Sequence, residues 1–322
     1  MTRVAVAGAG AFGTALALAF ARAGRKVILW GRDGGQMEAM RRRRENAAHL
    51  PGVALPETVI PTADFEPAAA CDILVVAVPT QALAAFAEAH AGAFRGGALV
   101  AACKGIERTT GRGPVEILRD ARPDVSAAIL TGPSFAADIA RGLPTALTIA
   151  AHDEAEARRL QHALSAPGLR LYRTTDVTGA SLGGALKNVV AIAAGIVIGA
   201  GLGESARAAL MTRGYAEMTR LALAMGARAE TLSGLSGFGD LVLTCTSEKS
   251  RNFRFGLAIG AGRPPAAGET VEGKATAAAA LELGRERGVE MPVTAMTAAV
   301  IDGRTTVAKA TEALLSRPLK PE

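Results

Sequence analysis

Val4-Ala5-Val6-Ala7 runs directly into Gly8-Ala9-Gly10-Ala11-Phe12-Gly13, and that into Thr14-Ala15-Leu16-Ala17-Leu18. A short apolar run, three glycines spaced G-x-G-x-x-G and an alanine- and leucine-rich stretch read as strand, tight turn and helix. In that context each glycine has a separate job. Gly8 permits the turn, Gly10 lets the backbone approach a pyrophosphate, and Gly13 lets the helix pack close to the strand. The helix start then offers unpaired N–H groups and a partial positive charge to phosphates. The same glycines argue against reading Arg3 and the Ala-x-Ala spacing near Ala17-Leu18-Ala19 as a secretory signal, because they would break its apolar helix. A second apolar run, Lys26-Val27-Ile28-Leu29-Trp30, follows at once, as a βαβ unit demands. The N-terminus therefore reads as folded and retained.

Working outward, the first half of the chain keeps alternating. Asp72-Ile73-Leu74-Val75-Val76-Ala77-Val78 ends at Pro79 and precedes a helix over 81–91. Ala98-Leu99-Val100-Ala101-Ala102 and Ala127-Ala128-Ile129-Leu130 read as further buried strands, with closing strands over 145–150 and 169–172. Continuous apolar runs between helices imply a parallel sheet covered on both faces. Ligands of such sheets bind beyond the carboxyl ends of the strands, so the loops starting at Gly8, Pro79, Lys104 and Gly132 are expected on one rim. From about Thr178 the strand signals vanish and helical periodicity runs to the C-terminus, interrupted at Gly262-Arg263-Pro264-Pro265. The expected layout is α/β, a doubly wound Rossmann-type domain over 1–177 followed by an all-helical domain over 178–322.

Whole-chain properties bound the function. At 322 residues there is room for two substantial cores. Three scattered cysteines, Cys71, Cys103 and Cys245, suit neither a disulfide framework nor a zinc knuckle. The four histidines lack ligand spacing, so no metal is expected and a reduced, cytoplasmic setting is the default. The longest uncharged apolar run, 189–203, is shorter than the roughly 20 residues that span a bilayer and is glycine-rich, so a buried helix is expected rather than stable membrane insertion. A net charge of +6 suits anionic small molecules as well as nucleic acid. Arg41-Arg42-Arg43-Arg44 has no aromatic interleaving, which leaves a solvated helix face or an electropositive rim near a cofactor phosphate, and no nucleic-acid partner is expected.

Polar groups interrupt apolar or glycine-rich surroundings in four places. Cys103-Lys104-Gly105 and Thr131-Gly132-Pro133-Ser134-Phe135-Ala136 each follow a buried strand. Leu182-Gly183-Gly184-Ala185-Leu186-Lys187-Asn188 puts a lysine and an amide just before an apolar helix. Gly237-Phe238-Gly239-Asp240 runs on through Leu241-Val242-Leu243-Thr244-Cys245 towards Ser250-Arg251-Asn252-Phe253-Arg254-Phe255-Gly256. Singly, Lys104 could be a surface lysine, Gly132-Pro133-Ser134 an ordinary turn, and Asp240 a helix cap. Lys187 is harder to dismiss, since a lysine entering an apolar helix must be paired, exposed in a cleft or shifted in pKa. Metal-free hydride transfer to a carbonyl needs one proton exchanged at oxygen and donors for the charge that develops there. Lys187 can exchange the proton with Lys104 as second cation, and Asp240 can accept from a substrate hydroxyl. Arg251 offers a fork for phosphate beside Ser250 and Asn252. Together these residues suggest a reductase for a small phosphorylated hydroxy-ketone.

The motifs G-A-G-A-F-G-T-A, C-K-G, G-P-S-F-A, L-G-G-A-L-K-N, G-F-G-D-L-V-L-T-C-T, S-R-N-F-R-F-G and V-E-G occur in that order from residue 3 to about 300. In combination they resemble bacterial NAD(P)-dependent sn-glycerol-3-phosphate dehydrogenase. The resemblance implies reversible reduction of dihydroxyacetone phosphate, supplying glycerophospholipid synthesis in the cytoplasm. It also implies Lys187 as catalytic acid/base, and a substrate site lined by Lys104, Gly132, Ser134, Asp240, Ser250, Arg251 and Asn252. Along the cofactor it implies Ala11, Phe12, Arg32, Lys104, Ala136, Arg251 and Glu272.

Two other functions stay open on the residues alone. One is a related two-domain dehydrogenase for a small hydroxy acid, the other a non-catalytic NAD(P)H sensor. Trp30 is followed by Gly31 and Arg32, room and a cation for a 2′-phosphate, so NADP(H) is expected to be preferred, with NAD(H) also used. Asp33 could still turn towards a ribose. A homodimer is expected from the exposed helical half.

Overall fold

The computed structural model describes residues 2–266, 268 and 270–316. Among them the strands are β1 (Val4–Ala7), β2 (Val27–Trp30), β3 (Glu45–Asn46), β4 (Leu50–Ala54), β5 (Val59–Thr62), β6 (Ile73–Val76), β7 (Ala98–Ala101), β8 (Ser126–Thr131), β9 (Thr145–Ala151) and β10 (Leu169–Thr174). With them run the helices α1 (Ala11–Arg22), α2 (Gly34–Arg43), α3 (Glu66–Ala69), α4 (Thr80–His90), α5 (Pro114–Ala121), α6 (Ala136–Ala140) and α7 (Glu154–Leu164). The rest is helical: α8 (Val177–Gly199), α9 (Glu204–Ala224), α10 (Ala229–Ser233), α11 (Asp240–Cys245), α12 (Arg251–Gly260), α13 (Glu272–Glu286), α14 (Pro292–Ile301) and α15 (Val307–Leu315). Two compact units emerge. One runs to Lys104 and resumes over Arg112–Ser181, while the other takes Gly105–Gly111 and the described chain from Leu182 on. Residues 317–322 of the expected second domain lie outside the described residues.

In the first unit eight strands form one sheet in the order β10-β9-β8-β7-β6-β1-β2-β5. β1, β6 and β7 are four-residue apolar runs with every residue buried, as a sheet covered on both faces requires. Leu16 and Phe20 of α1 with Met37 and Met40 of α2 cover one face. Leu83 and Phe86 of α4 with Leu118 of α5 cover the other. The chain winds outward from β1 in one direction to β2 and β5, and from β6 in the other to β7 and β8, all parallel. The reversal between β1 and β6 opens a crevice at their carboxyl ends, where such sheets take their ligands.

Three features depart from the sequence reading. β9 lies antiparallel to β8 instead of continuing the parallel sheet. The only helix between them, α6, has five residues and rises about 7.5 Å, too little to carry the chain back along a strand of about 20 Å. α7, with eleven residues, does make that return, and β10 pairs parallel to β9. β5 carries Pro61, which reads as a strand breaker, but β5 is an edge strand paired only with β2, where a proline is tolerated. The β3–β4 hairpin had no sequence signal. Arg44 before it adopts φ +50° and hydrogen-bonds the carbonyls of Leu55, Pro56 and Val59, pinning the hairpin base.

The second unit is helical. α8 has 23 residues, longer than the apolar run the sequence displays, and is long and apolar enough to cross a membrane. In its most apolar window 89% of residues are buried inside the protein, which identifies it as a core helix. It packs on α12 backbone to backbone. A Cβ on Gly195 or Gly199 of α8 would strike the Phe253 or Leu257 carbonyl, and one on Gly256 or Gly260 of α12 the Ile192 or Ile196 carbonyl. α9 sends buried Glu217 to the start of α14, where its carboxylate accepts from the N–H groups of Val293 and Thr294 and from the Thr294 hydroxyl. The three cysteines are buried, and burial pushes the Cys245 thiol up to about 12.

Candidate functional site

The glycine turn sits on the β1–β6 crevice. Gly8 has φ +112°, donates its N–H to the Trp30 carbonyl at 2.9 Å, and a Cβ there would lie 2.7 Å from the Ala77 carbonyl oxygen after β6. A Cβ on Gly13 would collide with the Gly8 carbonyl, so helix and strand touch where the motif reading requires it. Gly10 differs from both. It is extended (φ −77°, ψ −176°), and nothing stands within 4 Å of where its Cβ would be. The protein itself does not demand a glycine there, whereas a ligand approaching the backbone does. The first helical bond of α1 runs from Thr14 N–H to Gly10 O at 3.0 Å, leaving the N–H groups of Ala11, Phe12 and Gly13 ahead of it as donors for a phosphate. An open glycine and unpaired donors at one helix start fit the pyrophosphate of a dinucleotide.

At the end of β2 the glycine has another cause. A Cβ on Gly31 would meet Met37 at 2.7 Å and Ala9 at 3.0 Å, so Gly31 serves packing rather than making room for a 2′-phosphate. Arg32 beside it is exposed. Asp33 is the N-cap of α2, its carboxylate accepting from Gln36 N–H at 3.0 Å. On the same rim Lys104, after β7, donates to the Gly132 carbonyl after β8 at 2.7 Å, and the Ser134 hydroxyl donates to that oxygen at 3.2 Å. Lys104 is therefore half-buried and anchored, not a free surface lysine. Ala136 opens α6 just beyond.

The second unit gathers the other residues. Lys187 lies in α8 with its side chain 8% exposed, and Nζ donates to Asp240 Oδ1 at 2.8 Å and Thr244 Oγ1 at 2.5 Å. Pairing is thus how the structure tolerates a lysine in that helix. Two of the three ammonium N–H groups are used, and the third has no acceptor among the described residues. Asp240, fully buried, is the first residue of α11 but does not cap it, its Oδ1 being taken by Lys187 and by Thr244 at 3.3 Å. A π-helical turn, Leu235–Gly239, delivers Asp240, and such turns recur at functional sites. Gly183 packs against it, since a Cβ would lie 2.6 Å from the Ser236 carbonyl oxygen. Two sequence motifs meet there because both are glycine-rich.

Asn188 Oδ1 accepts from Asn252 Nδ2 at 2.9 Å, and Asn252 Oδ1 accepts from Gly273 N–H at 3.0 Å. This chain of amides ties α8 and α12 to the start of α13, whose first residue is Glu272. Ser250 is the N-cap of α12, its hydroxyl accepting from Phe253 N–H at 3.2 Å. Arg251 is the first, exposed residue of α12. A cation at the positive end of a helix opposes the helix dipole, so the arginine serves something other than the helix.

Thr244 was missed from sequence, although it lies four residues after Asp240, the spacing that makes helical neighbours. Of the two alternatives read for the basic run, the solvated helix face describes Arg41, Arg42 and Arg43, which lie exposed on the last turn of α2. Arg41 bonds Glu38 and the Pro61 carbonyl, and Arg44 holds the hairpin base.

Models of the NAD-dependent glycerol-3-phosphate dehydrogenase N-terminus and C-terminus match residues 3–157 and 176–312. The chain is 57% identical over 319 residues to a glycerol-3-phosphate dehydrogenase [NAD(P)+] of Ruegeria sp. (strain TM1040), covering 99% of each chain. It is 58% identical to the enzyme of that name from Cereibacter sphaeroides, over 99% of this chain and 100% of the relative. The crystal structure of glycerol-3-phosphate dehydrogenase from Coxiella burnetii superposes with a TM-score of 0.93 at 34% identity, over 98% of this chain and 99% of that one. With a dinucleotide turn in one unit and a buried lysine–carboxylate pair in the other, the chain belongs to the NAD-dependent glycerol-3-phosphate dehydrogenase family.

Proposed function

We propose that in the NAD(P)-linked interconversion of dihydroxyacetone phosphate and sn-glycerol 3-phosphate, which this chain performs, Lys187 is the acid/base. The observation that carries this reading is the enclosed Lys187–Asp240–Thr244 cluster, with one N–H of the ammonium unclaimed among the described residues. In the reducing direction Lys187 donates a proton to the carbonyl oxygen, and in the oxidising direction it takes one from the hydroxyl. Asp240 and Thr244 hold Nζ in place, so the proton is delivered from a fixed position. Bound NAD(P)H supplies the hydride.

Arg251, a planar fork on an exposed helix start, grips an anionic group, the substrate phosphate or the cofactor pyrophosphate. Lys104, Gly132, Ser134, Ser250 and Asn252 complete the substrate contacts. Gly8, Gly10, Ala11, Phe12, Gly13, Arg32, Lys104, Ala136 and Glu272 line the cofactor. In this assignment residues 1–177 form the cofactor domain and 178–322 the substrate domain, in a cytoplasmic homodimer that supplies glycerol 3-phosphate to phospholipid synthesis.

The test is loss of NAD(P)H absorbance with dihydroxyacetone phosphate, run separately with NADH and NADPH and repeated with simple 2-keto acids. Turnover of the phosphorylated ketone alone is the expected result. Turnover of the keto acids instead would point to a hydroxy-acid dehydrogenase, and no oxidation with any phosphorylated ketone to a sensor.

A further inference from the structure

Between the two outer glycines of the motif, the Ala9 carbonyl is gripped from two sides. Asn46 Nδ2 donates to it at 2.9 Å and also to the Thr14 hydroxyl at 2.8 Å. Gln36 Nε2 donates to the same carbonyl at 2.9 Å and lies 3.4 Å from Asn46 Oδ1. Asn46 is 1% exposed, a buried amide with no place in the chemistry above. It stands on β3, the strand whose hairpin is pinned by Arg44. Gln36 lies in the first turn of α2, three residues after the Asp33 cap.

A trans peptide points its C=O and N–H in opposite directions, and the described chain has no cis bond. Holding the Ala9 oxygen towards Asn46 and Gln36 therefore turns the Gly10 N–H away from them. That N–H has no acceptor among the described residues, and the space beside Gly10 is open. Without the two amides this peptide could rotate, because glycine imposes little backbone restraint of its own. Ala9 is held further by its side chain, which packs where a Cβ on Gly31 would come within 3.0 Å of it.

We propose that Asn46 and Gln36 are positioning residues for cofactor binding: they latch the Ala9–Gly10 peptide so that its N–H faces the pyrophosphate before the cofactor arrives. The inference rests on the glycine turn being the pyrophosphate seat. A seat set in advance spares the ordering cost that binding would otherwise carry. Because Gln36 follows directly on the Arg32–Asp33 corner, the latch also ties the turn to the stretch that would meet the ribose.

The experiment compares four proteins: the unmodified chain, Asn46→Asp, Gln36→Met and Gly10→Val. Aspartate keeps the shape but loses the amide donor to both the Thr14 hydroxyl and the Ala9 carbonyl, and it sets an oxygen against that carbonyl. Methionine keeps the length of Gln36 and loses its donor. Each lost hydrogen bond should weaken NADPH binding, followed by its fluorescence, by about 3- to 10-fold. The cofactor KM should rise in step, while kcat at saturating cofactor and the KM for dihydroxyacetone phosphate stay within about twofold. A purely structural role would lower the melting temperature without this split. Cofactor affinity unchanged in both latch variants would overturn the proposal, as would parallel losses in both KM values and kcat. If Asn46→Asp fails to fold, Gln36→Met decides alone. Gly10→Val tests the seat separately, since its side chain would enter open space in the free protein and a seated pyrophosphate in the complex. Normal NADPH binding by Gly10→Val would remove the seat itself. Lost binding there with intact binding in the latch variants would remove only the latch.

Discussion

Lys187 is half of a buried ion pair, which changes what its removal would measure. Lys187→Ala should lower kcat by about 10²- to 10⁴-fold, the range of a general acid–base group. It should also cost about 3–5 kcal/mol of stability, because Asp240 is left charged and enclosed. The double variant Lys187→Met/Asp240→Leu separates the two effects, since apolar replacement of a buried pair is often neutral. Its melting temperature should recover while its activity does not, and recovered activity would take Lys187 out of the mechanism. Arg251 is the opposite case, with no hydrogen-bond or ion-pair partner among the described residues. Arg251→Ala should raise the apparent KM about 10- to 150-fold without lowering the melting temperature, because it removes a cation from the wrong end of a helix. Wild-type kinetics in Arg251→Lys would rule out bidentate recognition. Lysine and arginine could both be singled out from sequence by their settings. The partner of Lys187 is another matter: Asp240 lies 53 residues away, and only the packing of α8 on α11 reveals the pair.

Among elements, α8 and α12 approach each other as closely as backbones can. Gly195→Ala or Gly256→Ala would gain up to about 1 kcal/mol of helix propensity, yet each new methyl meets a carbonyl. The net effect should be a loss of about 1–3 kcal/mol or more, read from urea unfolding. The corner between β2 and α2 makes a different prediction. With the Asp33 carboxylate engaged as a cap, Arg32 is the group left to meet a 2′-phosphate, so NADPH should be preferred over NADH. Arg32→Ala should then raise the KM for NADPH more than that for NADH. Equal effects, or a native preference for NADH, would return the role to Asp33. The glycine turn and its flanking strand and helix were legible because their signal is local. The β3–β4 hairpin and the reversal at β9 were not, because one depends on an arginine reaching distant carbonyls and the other on the length of α6.

At the scale of the whole molecule, the net charge of +6 meets a substrate and a cofactor that are both anionic. Raising ionic strength from about 0.01 M to about 0.15 M shortens the screening length from about 30 Å to about 8 Å. kcat/KM for dihydroxyacetone phosphate should fall over that range while kcat changes little, and a salt-independent kcat/KM would show that long-range steering plays no part.

Cys71 and Cys103 are buried in the first unit and Cys245 in the second, beside the lysine pair. Each is 8% exposed or less, so a neutral alkylating reagent should label the resting molecule far more slowly than an opened one. Labelling followed by peptide mass counts excursions from the native state unit by unit, since each adduct records where the chain gave way. The protein thus carries its own clocks for local opening, two in one unit and one in the other.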